Sequence, residues 1–190
     1  MAIERRDSFD GEFDAVLAAA RTGAPWALGR IYEALSPAVA GLFRAQGVDD
    51  PDDLTSEVFV GVLRKLAGFD GDVAGFRSWV FTIAYRRLAD QRRRSARRPA
   101  PLPLAARPEP AAPDDVYAEV ERSLATERVR ALCDRLAPAQ RDVLLLRVLG
   151  DLTVDQVAGV IGKSRGAVKA LQRRGYAAIA FLLEQDGVPL

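Results

Sequence analysis

Residues 153–174 read TVDQVAGVIGKSRGAVKALQRR, and the fold is decided there. Thr153 and Gln156 stand three apart ahead of an apolar run. That is the spacing of a capping box, in which hydroxyl and amide each satisfy a backbone N–H that the first helical turn leaves open. Gly162 supplies the positive φ of a tight turn, and Ser164 can cap a second helix. Numbered from Val154, Ala158, Gly162 and Val168 fall at the fifth, ninth and fifteenth places of a helix-turn-helix. Those places need a small residue where the helices cross, glycine at the turn and a β-branched wedge inside. Val157, Ile161 and Leu171 complete the small core. On a helical wheel Val168, Leu171, Gly175, Ile179 and Leu182 share one side of the second helix, while Gly166, Lys169, Ala170 and Arg173 lie nearly opposite. Two small residues between two cations let a helix approach base edges closely, so the pattern points to DNA. A helical hairpin with a solvated basic face is the plainer alternative.

The rest of the chain is helical in pattern as well. Phe13, Leu17 and Ala20 keep helical spacing up to the break at Gly23-Ala24-Pro25, and a second helix is expected from about Trp26 to Gln46. From Asp52 to Phe69, Leu54, Val58, Val62 and Leu66 recur every fourth residue, with Phe59 and Leu63 widening the stripe. A glycine- and aspartate-rich loop, Gly68 to Gly75, leads into a long helix from about Phe76 to Pro99. Asp114 and Asp115 can cap a helix running to Leu136, with Val116, Val120, Leu124 and Leu132 as its apolar line. Pro138 opens the next helix and Gly150 closes it. No stretch alternates with period two, so the expected fold is all-α.

The 15 residues 99–113, PAPLPLAARPEPAAP, hold 6 of the 11 prolines. Proline removes backbone donors and stops helices, so this segment predicts an extended, semi-rigid linker. The expected organisation is an N-terminal extension (1–25), a helical unit (26–98), a Pro/Ala-rich linker (99–115) and a second helical unit (116–190). In polyproline form residues 99–115 reach ~50 Å at ~3.1 Å each, enough to hold the two units well apart.

With 190 residues, 49% of them hydrophobic and only 7% aromatic, the chain can bury a core and has no disordered bias. There is no histidine, which excludes imidazole general bases, Ser-His-Asp schemes and Cys/His zinc sites. Neither a metal nor a cofactor is expected, and no catalytic residues stand out. No apolar run approaches the ~18–20 residues that cross a bilayer, and the start MAIERRDSFDGE lacks a signal-peptide core. The single Cys133 cannot pair within the chain, so a reducing, cytoplasmic setting is expected, without membrane insertion.

Charge is blocked rather than mixed. Residues 86–98 hold seven arginines against one aspartate, inside a chain whose net charge is only +1. Arg86, Arg93 and Arg97 lie within about 40° of each other at ~100° per residue, a ridge suited to phosphates. Trp79, Phe81 and Tyr85 interleave with these cations, which suits the unstacked bases of single-stranded DNA. The alternative places Trp79 and Ile83 in the core and pairs Asp90 with Arg86 or Arg94, and for Trp79 the core reading is preferred. One helix earlier, Asp53, Glu57, Val60 and Arg64 are left on the outer side, with no local cation to neutralise the two acids. They either compensate the helix dipole or present an acidic face to a basic protein.

Two segments carry a family resemblance. DDLTSEVFVGVLRKLAGFDGDVAGFRSWVFTIAYRRLADQRRRSARR (52–98) resembles region 2 of bacterial sigma factors of the extracytoplasmic-function, or group IV, class of the sigma-70 family. LAPAQRDVLLLRVLGDLTVDQVAGVIGKSRGAVKALQRR (136–174) is similar to region 4 of the same class. The likeness covers roughly residues 26–98 and 116–185, in the family's order, with the linker standing where larger members carry region 3. It implies a subunit that directs core RNA polymerase to specific promoters and assists DNA opening, without enzymatic activity of its own. The β′ coiled coil of the polymerase would meet Asp53, Leu54, Glu57 and Val60. The −10 element would be read and melted by the helix bearing Trp79, Tyr85, Arg86, Arg93 and Arg97. The −35 element would meet Ser164, Arg165, Gly166, Lys169, Ala170, Arg173 and Arg174, in a domain that also binds the β flap. An anti-sigma factor is a further implied partner. The sequence departs from the family at Ser56, usually glutamine, and at Arg86, usually asparagine, so a base-reading amide has become a cation. The alternative function, a stand-alone helix-turn-helix transcriptional regulator, needs a symmetric dimer and a ligand pocket, and requires neither the acidic face nor the arginine-aromatic helix.

Overall fold

The computed structural model describes residues 2–97 and 127–187, with side chains from Ser8 to Ser95 and from Glu127 onward. Every long element among the described residues is an α-helix, and none is a strand. The linker, the Asp114-Asp115 cap and the apolar line Val116, Val120 and Leu124 lie outside the described residues.

Helix α1 (Ala2–Arg21) carries Phe9, Phe13, Val16, Leu17 and Ala20 on one stripe, and all five are buried. Full burial of one such phenylalanine contributes roughly 1.5–3 kcal/mol, so the Phe9–Ala20 stripe of α1 is part of the first lobe's core. Helix α2 (Pro25–Ala45) lies against α1, and Pro25 sits at its start, where the missing N–H costs nothing. Helix α3 (Pro51–Lys65) begins the same way at Pro51, and the Asp50 carboxylate accepts the Asp53 N–H at 2.9 Å. A single 3₁₀ turn (Leu66–Gly68) leads to α4 (Val73–Arg97). Phe76 on α4 is the centre of an aromatic cluster, with Phe13 at 5.4 Å, Phe69 at 5.0 Å and Trp79 at 5.6 Å between ring centroids. Arg77, buried beneath it, is paired with Asp10 of α1.

The second lobe comprises α5 (described over 127–134), α6 (Pro138–Val148), α7 (Val154–Ile161) and α8 (Arg165–Gln185). Helix α8 crosses α6 at Gly175, where an added Cβ would stand 2.8 Å from Leu144 Cδ1, so any larger residue there would have to displace Leu144.

The two lobes do not stand apart. Leu152 and Val157 of the second join Phe81, Ala84 and Leu88 of α4 in one continuous hydrophobic core. The closest packing between the lobes is α7 on α4, with α6 also touching α2. Composition at 99–113 had suggested separated units, because a linker's length says how far two lobes can part, not whether their surfaces match.

Candidate nucleic-acid interface

The helix-turn-helix forms as its sequence requires. Thr153 N–H donates to Gln156 Oε1 at 2.8 Å and Gln156 N–H donates to Thr153 Oγ1 at 3.2 Å, completing the capping box. Gly162 turns the chain at φ 66°, and Ser164 Oγ accepts the Ala167 N–H at 3.2 Å to start α8. Val157 and Val168 are fully buried between the two helices. Ser164, Arg165, Gly166, Lys169, Arg173 and Arg174 are exposed and Ala170 is half-buried, so the expected −35 residues share an accessible surface. Arg165 is held by Asp155 at 2.7 Å, a tether across the turn. Gln172 and Tyr176 join Lys169 and Arg173 around one shallow groove on α8. The sequence reading missed both, although 169, 172, 173 and 176 follow helical spacing.

On α4 the expected −10 residues divide. Trp79 is half-buried against Phe69, with ring centroids 5.2 Å apart, so it supports the aromatic core, as preferred from the residues alone. Arg86 is exposed. Arg93 is exposed but paired with Asp90, which the alternative reading had paired with Arg86 or Arg94; three residues along a helix bring the two together as readily as four. Arg97 ends α4, and its side chain lies outside the described residues. Tyr85 is half-buried, and its hydroxyl donates to Asp142 Oδ2 of α6 at 2.8 Å. Burial first, and the Asp142 carboxylate second, push the Tyr85 phenol up to about 12.

The α3 face also differs in part from expectation. Asp53 is exposed and Val60 is 47% exposed. Leu54 is only 6% exposed and faces the core, because it belongs to the apolar stripe it was first read in. Glu57 is not free of cations: Arg87 of α4 lies 3.7 Å away, brought there by helix packing that spacing within α3 could not reveal. Asp52, beside them, is held by Arg44 at 2.7 Å.

Among the described residues no cluster of acidic or sulfur side chains could hold a metal, and no helix is long and apolar enough to cross a membrane. Cys133 is buried, and burial pushes its thiol up.

A helical lobe with an arginine-rich helix, packed against a lobe that carries a capped helix-turn-helix, defines a DNA-binding protein. The family pattern described as Sigma-70 region 2 matches residues 31–98, and that described as Sigma-70, region 4 matches residues 126–179. The chain is 33% identical over 173 residues to the ECF RNA polymerase sigma factor BldN of Streptomyces coelicolor, covering 88% of this chain and 64% of BldN. It is 33% identical over 137 residues to the ECF RNA polymerase sigma factor ShbA of Streptomyces griseus, covering 70% of this chain and 72% of ShbA. The solved structure of CnrH in complex with the cytosolic domain of CnrY has the same fold, with a TM-score of 0.66 at 24% identity, over 90% of this chain and 97% of that one. The chain belongs to the extracytoplasmic-function class of the sigma-70 family.

Proposed function

We propose that this chain is a promoter-specificity subunit that brings core RNA polymerase to its promoters and helps to open them. The observation that carries the reading is α8: a capped recognition helix whose outward face holds Lys169 and Arg173 beside Gly166 and Ala170. Such a helix presents its first turns to base edges in the major groove, where guanine offers two acceptors to a cation. Arg86 and the arginines after it would grip the opened −10 strand, with Tyr85 offering a stacking surface once it is released. The exposed Asp53 and Val60, with Glu57 beside them, would meet the β′ coiled coil, Leu54 supporting that face from beneath. Region 4 would rest on the β flap.

No step in this role needs a reacting group, so the protein acts without enzymatic chemistry of its own and works in the cytoplasm, where polymerase is. CnrH is described in complex with the cytosolic domain of CnrY; a protein inhibitor that holds this chain away from polymerase would be the counterpart here. The direct test is run-off transcription from a genomic fragment library with core polymerase, with and without the chain. Promoter-specific transcripts that need the chain are expected. Specific DNA binding by a symmetric dimer, without any polymerase dependence, would instead identify a stand-alone regulator.

A further inference from the structure

Where α5, α6 and α8 meet α2, the packing leaves an apolar cavity of about 470 Å³. Gly41 and Ala45 form its α2 wall, and Leu132 of α5, Leu145 of α6 and Ile179 of α8 contribute to the rest. Close packing does not force the glycine: a Cβ added at Gly41 would meet nothing nearer than Leu149 at 3.6 Å. Only two lining side chains carry charge, Arg44 and Arg141, and both are cations. Each is paired with one aspartate, Arg44 with Asp52 at 2.7 Å and Arg141 with Asp134 at 3.1 Å. The Arg141 side chain is only 15% exposed, and its Nε–H is buried without a partner. A guanidinium offers its donors as a planar fork, so Asp134 leaves this one incomplete. Cys133 also lines the cavity; burial pushes its thiol up, and the Arg141 charge is the influence that pulls it back. The positive charge is therefore felt inside the cavity.

We infer that this cavity is a binding site for a small alkyl carboxylate, whose acid group meets Arg141 and whose tail lies among the leucines. Size, lining and charge select that ligand together. The volume falls within the roughly 300–1,000 Å³ of small-molecule sites, which are mostly apolar with a few placed polar groups. Taking a methylene as about the ~30 Å³ of a liquid water, a chain of ten carbons fills ~300 Å³ and leaves room for its acid group. The apolar walls favour a tail withdrawn from water. Two cations and no acid in the lining favour an anionic head, and a carboxylate is the group a guanidinium fork matches with paired hydrogen bonds. A partner helix suits the space less well: at ~10 Å across and ~5.4 Å per turn, one turn alone takes up ~420 Å³. The cavity shares no residue with the α4 and α8 faces proposed to meet DNA, so the site stands independently of that role.

Sodium decanoate below its micellar concentration is the probe, titrated into the 190-residue chain by calorimetry. Decanol and decyltrimethylammonium carry the same tail with a neutral and a cationic head. One decanoate per chain should bind, at least tenfold more tightly than decanol, the gain expected of hydrogen bonds to a charged group, and more tightly still than the cation. Decanoate should also raise the melting temperature, since it binds the folded chain alone. Arg141→Gln should remove the preference for the acid and leave decanol binding as it was. Val148→Trp places a larger ring at a lining position that is 62% exposed, and should block decanoate and decanol alike. The second variant also covers the case in which Arg141→Gln fails to fold. No saturable binding to the parent, uptake of many decanoates per chain, or equal affinity for the acid and the cation would each overturn the site. Decanoate binding that is unchanged in either folded variant would overturn it too. Binding that emerges only when residues 101–110 are deleted would make the chain's own linker the occupant, and the carboxylate site would fall.

Discussion

Arg173 and Arg174 are neighbours in sequence and both exposed, yet α8 turns them to different sides. Arg173 shares a groove with Lys169, Gln172 and Tyr176, while Arg174 sits a further ~100° round the helix, where in the proposed role it would meet phosphates. Arg173→Ala in holoenzyme should cost about 1–3 kcal/mol on the best −35 sequence and relax preference at one or two positions. Arg174→Ala should weaken all sequences alike. Selection from a −35-randomised library checks this, and an unchanged base profile for both Lys169→Ala and Arg173→Ala would show that the helix is turned the wrong way in the groove. Tyr85 gives a second prediction at this scale. Its phenol is pushed from 10.0 up to about 12 by burial and by Asp142, so it holds its proton more tightly folded than unfolded. The stability this lends is complete below about pH 10 and is lost as pH rises through about 12. In an absorbance titration one of the 4 tyrosines should ionise late, and Asp142→Asn should bring it earlier. Four tyrosines titrating together in the folded chain would refute the buried contact.

At the scale of elements, α7 is eight residues long and too short to hold itself together, so its cap matters. Thr153→Ala removes the acceptor for the Gln156 N–H and loosens the Gln156 side chain that also reaches Ala74. The expected loss is about 1 kcal/mol, or ~2–4 °C in melting temperature for a chain of this size. Calorimetry of the variant checks it; a melting temperature identical to the parent's would mean that packing alone specifies α7. The same contrast explains what was legible in advance. Caps, turns and apolar stripes act within a few residues, so Thr153, Gly162, Ser164 and the stripe from Leu54 to Leu66 declared the helices and the helix-turn-helix directly. What the sequence hid was set by packing between elements far apart in the chain. Arg87 reaches Glu57 across two helices, Tyr85 finds Asp142 from another lobe, and α1 proved to be a wall of the core. Leu54 shows the limit of carrying a role by likeness alone: its place in the apolar stripe already said that it points inward.

At the scale of the whole molecule the chain has two demands that conflict. The lobes are in contact, with Phe81, Leu88, Leu152 and Val157 in one core, whereas the proposed role on a promoter needs them far apart. The −10 and −35 elements are named for positions about 25 base pairs apart, or ~85 Å at ~3.4 Å per step. Were residues 99–115 to take up the polyproline form their sequence suggests, they would span ~50 Å, and with a lobe radius of ~13 Å at each end the reach would be about 76 Å. That reach falls slightly short of the spacing, so it would leave no slack on the promoter. Deleting residues 101–110 removes ~31 Å at ~3.1 Å per residue, close to nine base-pair steps. Closure depends on the surfaces of α4, α6 and α7, which the deletion leaves intact, so the melting temperature of the free chain should stay the same. Holoenzyme transcription from the natural promoter should fall severalfold, and shortening the spacer between the elements should restore part of it. Two measurements, calorimetry on the free chain and run-off transcription across a series of spacers, therefore separate what the linker does for the fold from what it does on DNA. Full transcription by the deleted chain at the natural spacing would show that the two lobes never have to part that far.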